Sequence, residues 1–294
     1  MNYLLVWLVF ATIGAQAVYD DGLSRTFYIL SAAAHAAVPQ PCLNNHFTDI
    51  TIVGQRVVDC DFLNMTNSTT GPILCSAYVA LNNDNSSIVI AFRGSIGYAQ
   101  VKEEELATIL KNQSLYVDHR SLITGHSLGA AMSALAAGYL INYGYVTPDN
   151  VKLINFGMPR TGDSNFSTYI DNNVPYKYRV VHRNDPVPHS IPQEFVGFAG
   201  TQYYTHISNE IWYNNSMEEG APWIECDQNE SPMCSDQLET DGTNFTLFGL
   251  DHLMYFNIDI SDYATNACLC TADGNYCTSG VQCCSGLCFN TECR

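Results

Sequence analysis

The chain has 294 residues, with 12 Lys or Arg against 29 Asp or Glu, for a formal charge of −17 at pH 7. So acidic a molecule is excluded as a nucleic-acid binder and has no electrostatic attraction to anionic membranes, so any contact with lipid must be apolar. Nearly half of the residues are hydrophobic (47%) and twelve are Cys, which describes a folded protein of an oxidising compartment.

Met1 to Ala17 contain an apolar run from Tyr3 to Gly14, then Ala15-Gln16-Ala17, a small-x-small cleavage site. This reads as a secretory signal, with the mature chain starting near Val18. The run is too short to span a bilayer, no second one follows, and no transmembrane segment is expected. N-x-S/T sequons at Asn64, Asn67, Asn85, Asn112, Asn165, Asn214, Asn229 and Asn244 agree with an extracellular glycoprotein. Residues 18–268 suffice for one large α/β domain, and residues 269–294 form a short Cys-rich tail.

Phe27 to Val38 reads as an Ala-rich helix ended by Pro39 and Pro41. Ile50 to Val58, Ile73 to Leu81 and Ser87 to Phe92 are β-branched, apolar runs separated by Asn, Ser, Thr and Gly clusters, as strands joined by turns should be. Val101 to Lys111 reads as a helix, with Glu103 to Glu105 in its first turn, where the dipole favours them. Ser121 to Thr124 is the end of a strand, Ala130 to Tyr143 a helix, and Val151 to Phe156 and Tyr176 to His182 further strands. Tyr203 to Tyr213 reads as an edge strand and Leu250 to Ile260 as the last segment. Strands alternating with helices imply crossover units and a largely parallel sheet, with reactive groups at the carboxyl ends of its strands.

Gly125-His126-Ser127-Leu128-Gly129 places a serine between two glycines where strand meets helix. That context makes it a nucleophile elbow: the serine is held on a strained turn, and small neighbours let strand and helix pass closely. A serine hydroxyl needs a base, and the base needs an anion to fix its tautomer. Asp185 follows the strand Tyr176 to His182. Of the three histidines after it, His189 is too near in sequence to return as its partner, and His206 lies within the expected edge strand. His252 remains, in a separate late segment. His126 reads as a packed neighbour of the elbow.

Taken together, the segments Ile90-Ala91-Phe92-Arg93-Gly94-Ser95, Thr124 to Gly129, Asn155-Phe156-Gly157-Met158-Pro159-Arg160, His182 to Pro192, Glu210-Ile211-Trp212-Tyr213 and Asp251-His252 to Phe256 resemble the secreted class 3 (fungal-type) triacylglycerol lipases, especially their invertebrate members. They keep that family's order from about residue 22 to residue 268. The resemblance implies an α/β-hydrolase fold, Ser127 as nucleophile, Asp185 as orienting acid and His252 as general base. It also implies Ser95 and the backbone N–H of Leu128 as oxyanion donors, a lipid ester as substrate, and no cofactor or metal. By analogy with the family Cys42 pairs with Cys268 and Cys226 with Cys234, which leaves Cys60 with Cys75.

One departure stands out. Only 29 residues, Ile96 to Thr124, separate Ser95 from Gly125, and the expected helix and strand use most of them. A crossover fits in that length, but the family's lid does not. Two readings follow: a lidless secreted ester hydrolase working through an acyl-serine, or a catalytically impaired, lid-deleted, lipase-like secreted binding protein.

Cys270, Cys277, Cys283, Cys284, Cys288 and Cys293 have the spacing of an inhibitor cystine knot. Six cysteines allow 15 pairings; the knottin resemblance selects Cys270–Cys284, Cys277–Cys288 and Cys283–Cys293. Zinc is disfavoured there because the paired short spacings are missing. A module so small folds only through its bridges, and its expected role is to engage a protein or glycan partner or to shield the C-terminus from proteolysis.

Overall fold

The computed structural model describes residues 18–59, 74–94, 120–197, 200–238, 250–270, 288–290 and 292–293. The expected leader Met1 to Ala17, the helix Val101 to Lys111, Ser95, the shortened crossover before Arg120 and the residues Cys60, Cys277, Cys283 and Cys284 lie outside them.

Helix α1 (Asp21–His35) starts six residues earlier than its apolar run, because Asp20 caps it by accepting a hydrogen bond from Leu23 N–H at 2.9 Å. It ends at His35, where Ala36 turns extended. Pro39 and Pro41 do not terminate it; they open a second helix, α2 (Gln40–His46), where a proline in the first turn has no hydrogen bond to lose.

Strands β1 (Ile50–Asp59), β2 (Leu74–Asn82) and β3 (Ser87–Phe92) form an antiparallel meander. Beyond it the chain alternates between strand and helix: β4 (Arg120–His126), α3 (Leu128–Asn142), β5 (Val151–Phe156), α4 (Ser164–Asn173) and β6 (Tyr176–His182). A small hairpin of β7 (Glu194–Gly197) and β8 (Gly200–Tyr203) stands apart from the sheet. Then come β9 (Glu210–Tyr213) and β10 (Ile224–Cys226), followed by the short hairpin β11 (Met254–Tyr255) and β12 (Ile258–Asp259) and helix α5 (Ile260–Thr265). The main sheet has eight strands in the order β1-β2-β3-β4-β5-β6-β9-β10. Its five central strands, β3 through β9, are parallel, and antiparallel pairs close both sides. This is the mostly parallel α/β-hydrolase sheet.

The stretch Tyr203 to Tyr213 is therefore not one edge strand. Its first residue ends the hairpin, and Asn209 at φ 65° interrupts the extended backbone, a conformation asparagine tolerates better than most residues. The remainder, β9, is buried inside the sheet between β6 and β10. His206 falls in the break, outside any strand.

Apolar cores cover both faces, as a parallel sheet requires. On one face α1 lays Phe27, Tyr28 and Leu30 against Phe156, Tyr255 and Phe256. On the other, α3 sets its small residues against Ile123, Leu153 and Ile170. A side chain at Gly138 would come within 2.9 Å of Ile170 Cδ1, which shows how close α3 lies to α4.

Two disulfides brace the domain: Cys42–Cys268, spanning 226 residues, and Cys226–Cys234 across the turn behind β10. Cys75 and Cys270 are disulfide-bonded as well. In the tail, Cys288-Phe289 pairs with Glu292-Cys293 as a two-residue antiparallel ladder. Among the described residues no helix is long and apolar enough to cross a membrane.

Asn85, Asn165 and Asn214 are exposed, while Asn64, Asn67, Asn112 and Asn244 lie outside the described residues. Asn229 is half-buried. Its amide donates to Asp171 at 2.8 Å and to the His206 carbonyl at 2.7 Å, so a glycan, which replaces one amide hydrogen, would break a bond on which this turn rests.

Replacing Cys42 and Cys268 together by Ser is expected to lower stability by about 3–5 kcal/mol, because the closed loop is long. Thermal unfolding followed by circular dichroism should then show a midpoint lower by about 10 °C.

Candidate active site

Ser127 joins β4 to α3 with φ 60° and ψ −128°, a strained backbone for a residue with a side chain. It is held there by closeness on three sides. A Cβ on Gly125 would lie 2.1 Å from the Gly129 carbonyl oxygen, and one on Gly129 would lie 2.3 Å from the Phe92 oxygen. At the end of β3, a Cβ on Gly94 would lie 2.6 Å from the His126 oxygen and 3.0 Å from Ser127 Cβ. Strand, elbow and helix thus meet backbone to backbone. The Ser127 side chain makes no capping bond to α3, and the first N–H groups of that helix, Leu128's among them, have no partner further back in it.

Asp185 sits in the turn behind β6. Its backbone N–H donates to the His182 carbonyl at 2.9 Å, and its Oδ1 accepts from Val187 N–H at 2.9 Å. His252 comes from the segment just before β11, with Nδ1 at 2.9 Å from each Asp185 oxygen. Tyr255, three residues further on, donates its hydroxyl to Asp185 Oδ2 at 2.6 Å. Burial by itself would push the Asp185 carboxyl up. The charge and hydrogen bond of His252, the Tyr255 hydroxyl and the Val187 N–H outweigh it and hold the group below the ordinary carboxylate range.

Ser127 and the Asp185–His252 pair meet through shared neighbours at the carboxyl ends of β4, β5 and β6. Ser127 N–H donates to the Phe156 carbonyl at 2.9 Å. The next residue, Gly157, has φ 57°, and a Cβ there would lie 2.6 Å from Asp185 Oδ2 and 3.0 Å from two atoms of the His252 ring. On the other side of the serine, His126 stacks on His252 with ring centroids 4.4 Å apart and donates Nε2–H to the His252 carbonyl at 2.7 Å. No hydrogen bond joins Ser127 Oγ to the imidazole in this structure. Such contacts tighten when substrate arrives.

Three contributors, Gly157, Tyr255 and His35, escape the motif reading. Gly157 makes room for the Asp185–His252 pair and Tyr255 orients Asp185, while His126, the packed neighbour expected of the elbow, props His252. His35, at the end of α1, accepts a hydrogen bond from Gly94 N–H through Nε2 at 3.3 Å, so it fixes the strand end that leads to Ser95. Burial first, then the charges of Arg93 and His252, hold His35 down at about 3, and burial likewise depresses His126; both rings are neutral props. The Gly157 and Tyr255 roles had a sequence trace, a Phe-Gly after a strand and an aromatic three residues past the histidine. His35 had none. His189 and His206 stand away from this group, with ring centroids 6.1 Å apart in a separate buried cluster.

The comparisons agree with this arrangement. Residues 46–195 match the model of the family "Lipase (class 3)". The chain is 27% identical over 314 residues to a lipase of Caenorhabditis elegans, an alignment covering 88% of this chain and 86% of the relative. It is 28% identical over 214 residues to the secreted mono- and diacylglycerol lipase 1 of Fusarium solani, covering 61% of this chain and 59% of that one. Among solved structures, the lipase from Rhizopus microsporus var. chinensis superposes with a TM-score of 0.58 at 22% identity, covering 85% of this chain and 89% of the other, a likeness of fold.

Gly157→Ala should displace the Asp185–His252 pair while leaving the sheet intact. Esterase assays beside circular dichroism are expected to show turnover lower by about 100-fold with an unchanged spectrum. Tyr255→Phe removes one of the groups that depress the Asp185 carboxyl, so that group's folded-state value rises. The stability it contributes is present above its unfolded value and is lost as pH falls through the folded one. The acid-unfolding midpoint of the variant should therefore move up, by roughly 0.5–1 pH unit, as read by tryptophan fluorescence.

Proposed function

Because this chain belongs to the class 3 lipase family, we propose that it is a secreted serine carboxylic ester hydrolase that cleaves acylglycerols or related lipid esters. The observation carrying this reading is the buried Asp185–His252 contact beside the strained Ser127 elbow. Ser127 Oγ attacks the ester carbonyl while His252 takes its proton, and Asp185 stabilises the imidazolium. The oxyanion is received by the Leu128 N–H at the positive end of α3 and by Ser95, each such donor worth about 100- to 1,000-fold in turnover. His252 then gives its proton to the leaving alcohol, leaving an acyl-serine. Water, deprotonated by His252, adds to the acyl carbon and releases the acid, and the proton returns to Ser127. Every atom in this cycle comes from ester, water and these side chains, so it calls for no cofactor or metal.

Secretion is supported by the apolar leader and by the disulfides of the domain. The short span from Ser95 to Gly125 supports a site without a lid, open in water and weakly stimulated by an oil surface. The knottin-like tail, with Cys270–Cys284, Cys277–Cys288 and Cys283–Cys293 paired, is a separate module that binds a protein or glycan or protects the terminus. The same short span favours the second reading, an idle lipase-like binding protein.

Hydrolysis of p-nitrophenyl esters by the purified protein beside Ser127→Ala separates the two. The variant is expected to lose at least about 10,000-fold in kcat, the wild type should react with a fluorophosphonate at Ser127, and its rate should stay nearly flat across the emulsion boundary. Absence of labelling in folded protein would favour the binding reading, and a steep rise at an emulsion surface would contradict the open site.

A further inference from the structure

Behind the Asp185 turn the structure gathers charge and imidazole that the hydrolytic cycle does not use. His189, from the loop after β6, His206, from the break before β9, and Asp236, from the turn after β10, each offer a donor atom, and the three donors lie within 4.8 Å of one another. His206 is fully buried, and the side chains of His189 and Asp236 are 4% and 8% exposed. His189 Nδ1 stands 3.3 Å from Asp236 Oδ1, yet the two are not aligned as donor and acceptor. His189 Nδ1 and both Asp236 oxygens make no hydrogen bond of ordinary geometry, and the His206 ring nitrogens meet only the Pro188 carbonyl, outside that geometry. Buried polar atoms seldom go unmet, and a cluster of them that converges calls for an explanation.

The surrounding charges sharpen the question. Arg160 grips Glu230 with two guanidinium nitrogens at 2.8–3.2 Å, and Arg179 pairs with Glu210 at 3.0 Å. Those four cancel. Asp236 is a third carboxylate, with Arg160 no nearer than 3.8 Å and that arginine already engaged.

We propose that His189, His206 and Asp236 form a binding site for a divalent transition-metal ion, best matched to Zn(II), with the fourth position left to water. Two imidazoles and a carboxylate are a zinc-type donor set, and at tetrahedral zinc neighbouring donors stand roughly 3.4 Å apart, close to the observed His189–Asp236 separation. The supporting contacts are in place. His189 Nε2 lies 3.2 Å from Ser235 Oγ, the Pro188 carbonyl faces the His206 ring, and the His206 backbone N–H is held by Glu230 at 2.8 Å. Ligating histidines are commonly oriented by such partners at the other ring nitrogen. The ion ties together three segments distant in sequence, one of which begins four residues after Asp185. The site stands independently of the ester-hydrolase reading.

The test uses the full chain, stripped with EDTA, reloaded with Zn(II) or Co(II) and freed of excess metal. Elemental analysis should find one zinc per chain in the wild type and none in Asp236→Asn, a near-isosteric change whose folding is checked by circular dichroism. The cobalt form should show the intense visible bands of tetrahedral Co(II). Zinc should raise the wild-type unfolding midpoint by about 5 °C and leave that of Asp236→Asn unmoved. Zinc no higher in the wild type than in the variant, or a cobalt form without tetrahedral bands, overturns the proposal. Should Asp236→Asn fail to fold, the cobalt spectrum and the zinc-dependent midpoint of the wild type decide alone. Fluorophosphonate labelling of Ser127, run alongside, reports on the hydrolase separately.

Discussion

The architecture depends on one steric constraint: three backbones meet where only glycine fits. Gly94, Gly125 and Gly129 let the end of β3, the end of β4 and the first turn of α3 come within contact distance of one another. The left-handed Ser127 is held by that crowding, since a relaxed backbone there would pull strand and helix apart. The strain is local, and the packing of α1 and α3 on the two faces of the sheet offsets it. With the elbow fixed, parallel register carries the neighbouring strand ends to the same edge, and Asp185 and His252 arrive there on separate loops.

Around the elbow, polar order is built from neutral groups. His35 and His126 are buried, uncharged rings that hold backbone and imidazole in place. Asp185, whose carboxylate contacts the His252 ring, is met by Tyr255 and the Val187 N–H. An anion with three hydrogen-bonding partners stays ionised in a dry site, and a base beside it keeps one tautomer. The division of labour is economical in sequence: His252 and Tyr255 share one short segment, and Asp185 and Val187 another.

Much of this was legible beforehand. The run Ser87 to Phe92 marks β3 because a strand buried on both faces is mostly apolar, and the aliphatic and aromatic residues of β5 and β6 mark them despite Lys152, Lys177 and Arg179. The elbow announced itself because its chemistry requires a fixed local spacing. What escaped notice depends on tertiary contact. β9 read as an edge because its four residues gave no sign of the partner on each side. The apolar run alone starts α1 late, because the capping Asp20 precedes that run. Gly157 and His35 matter only for what the fold brings against them, and His189, His206 and Asp236 come from three loops, with no spacing between them that could signal a shared site.

The bond between Cys42 and Cys268 closes a ring within which Ser127, Asp185 and His252 all lie. A protease that nicks the chain once anywhere inside this ring produces no separate fragments, since both pieces remain covalently joined. A single scission then costs local order rather than the molecule, and Ser127, Asp185 and His252 stay joined to one another until a second event, reduction or another cut, sets a piece free.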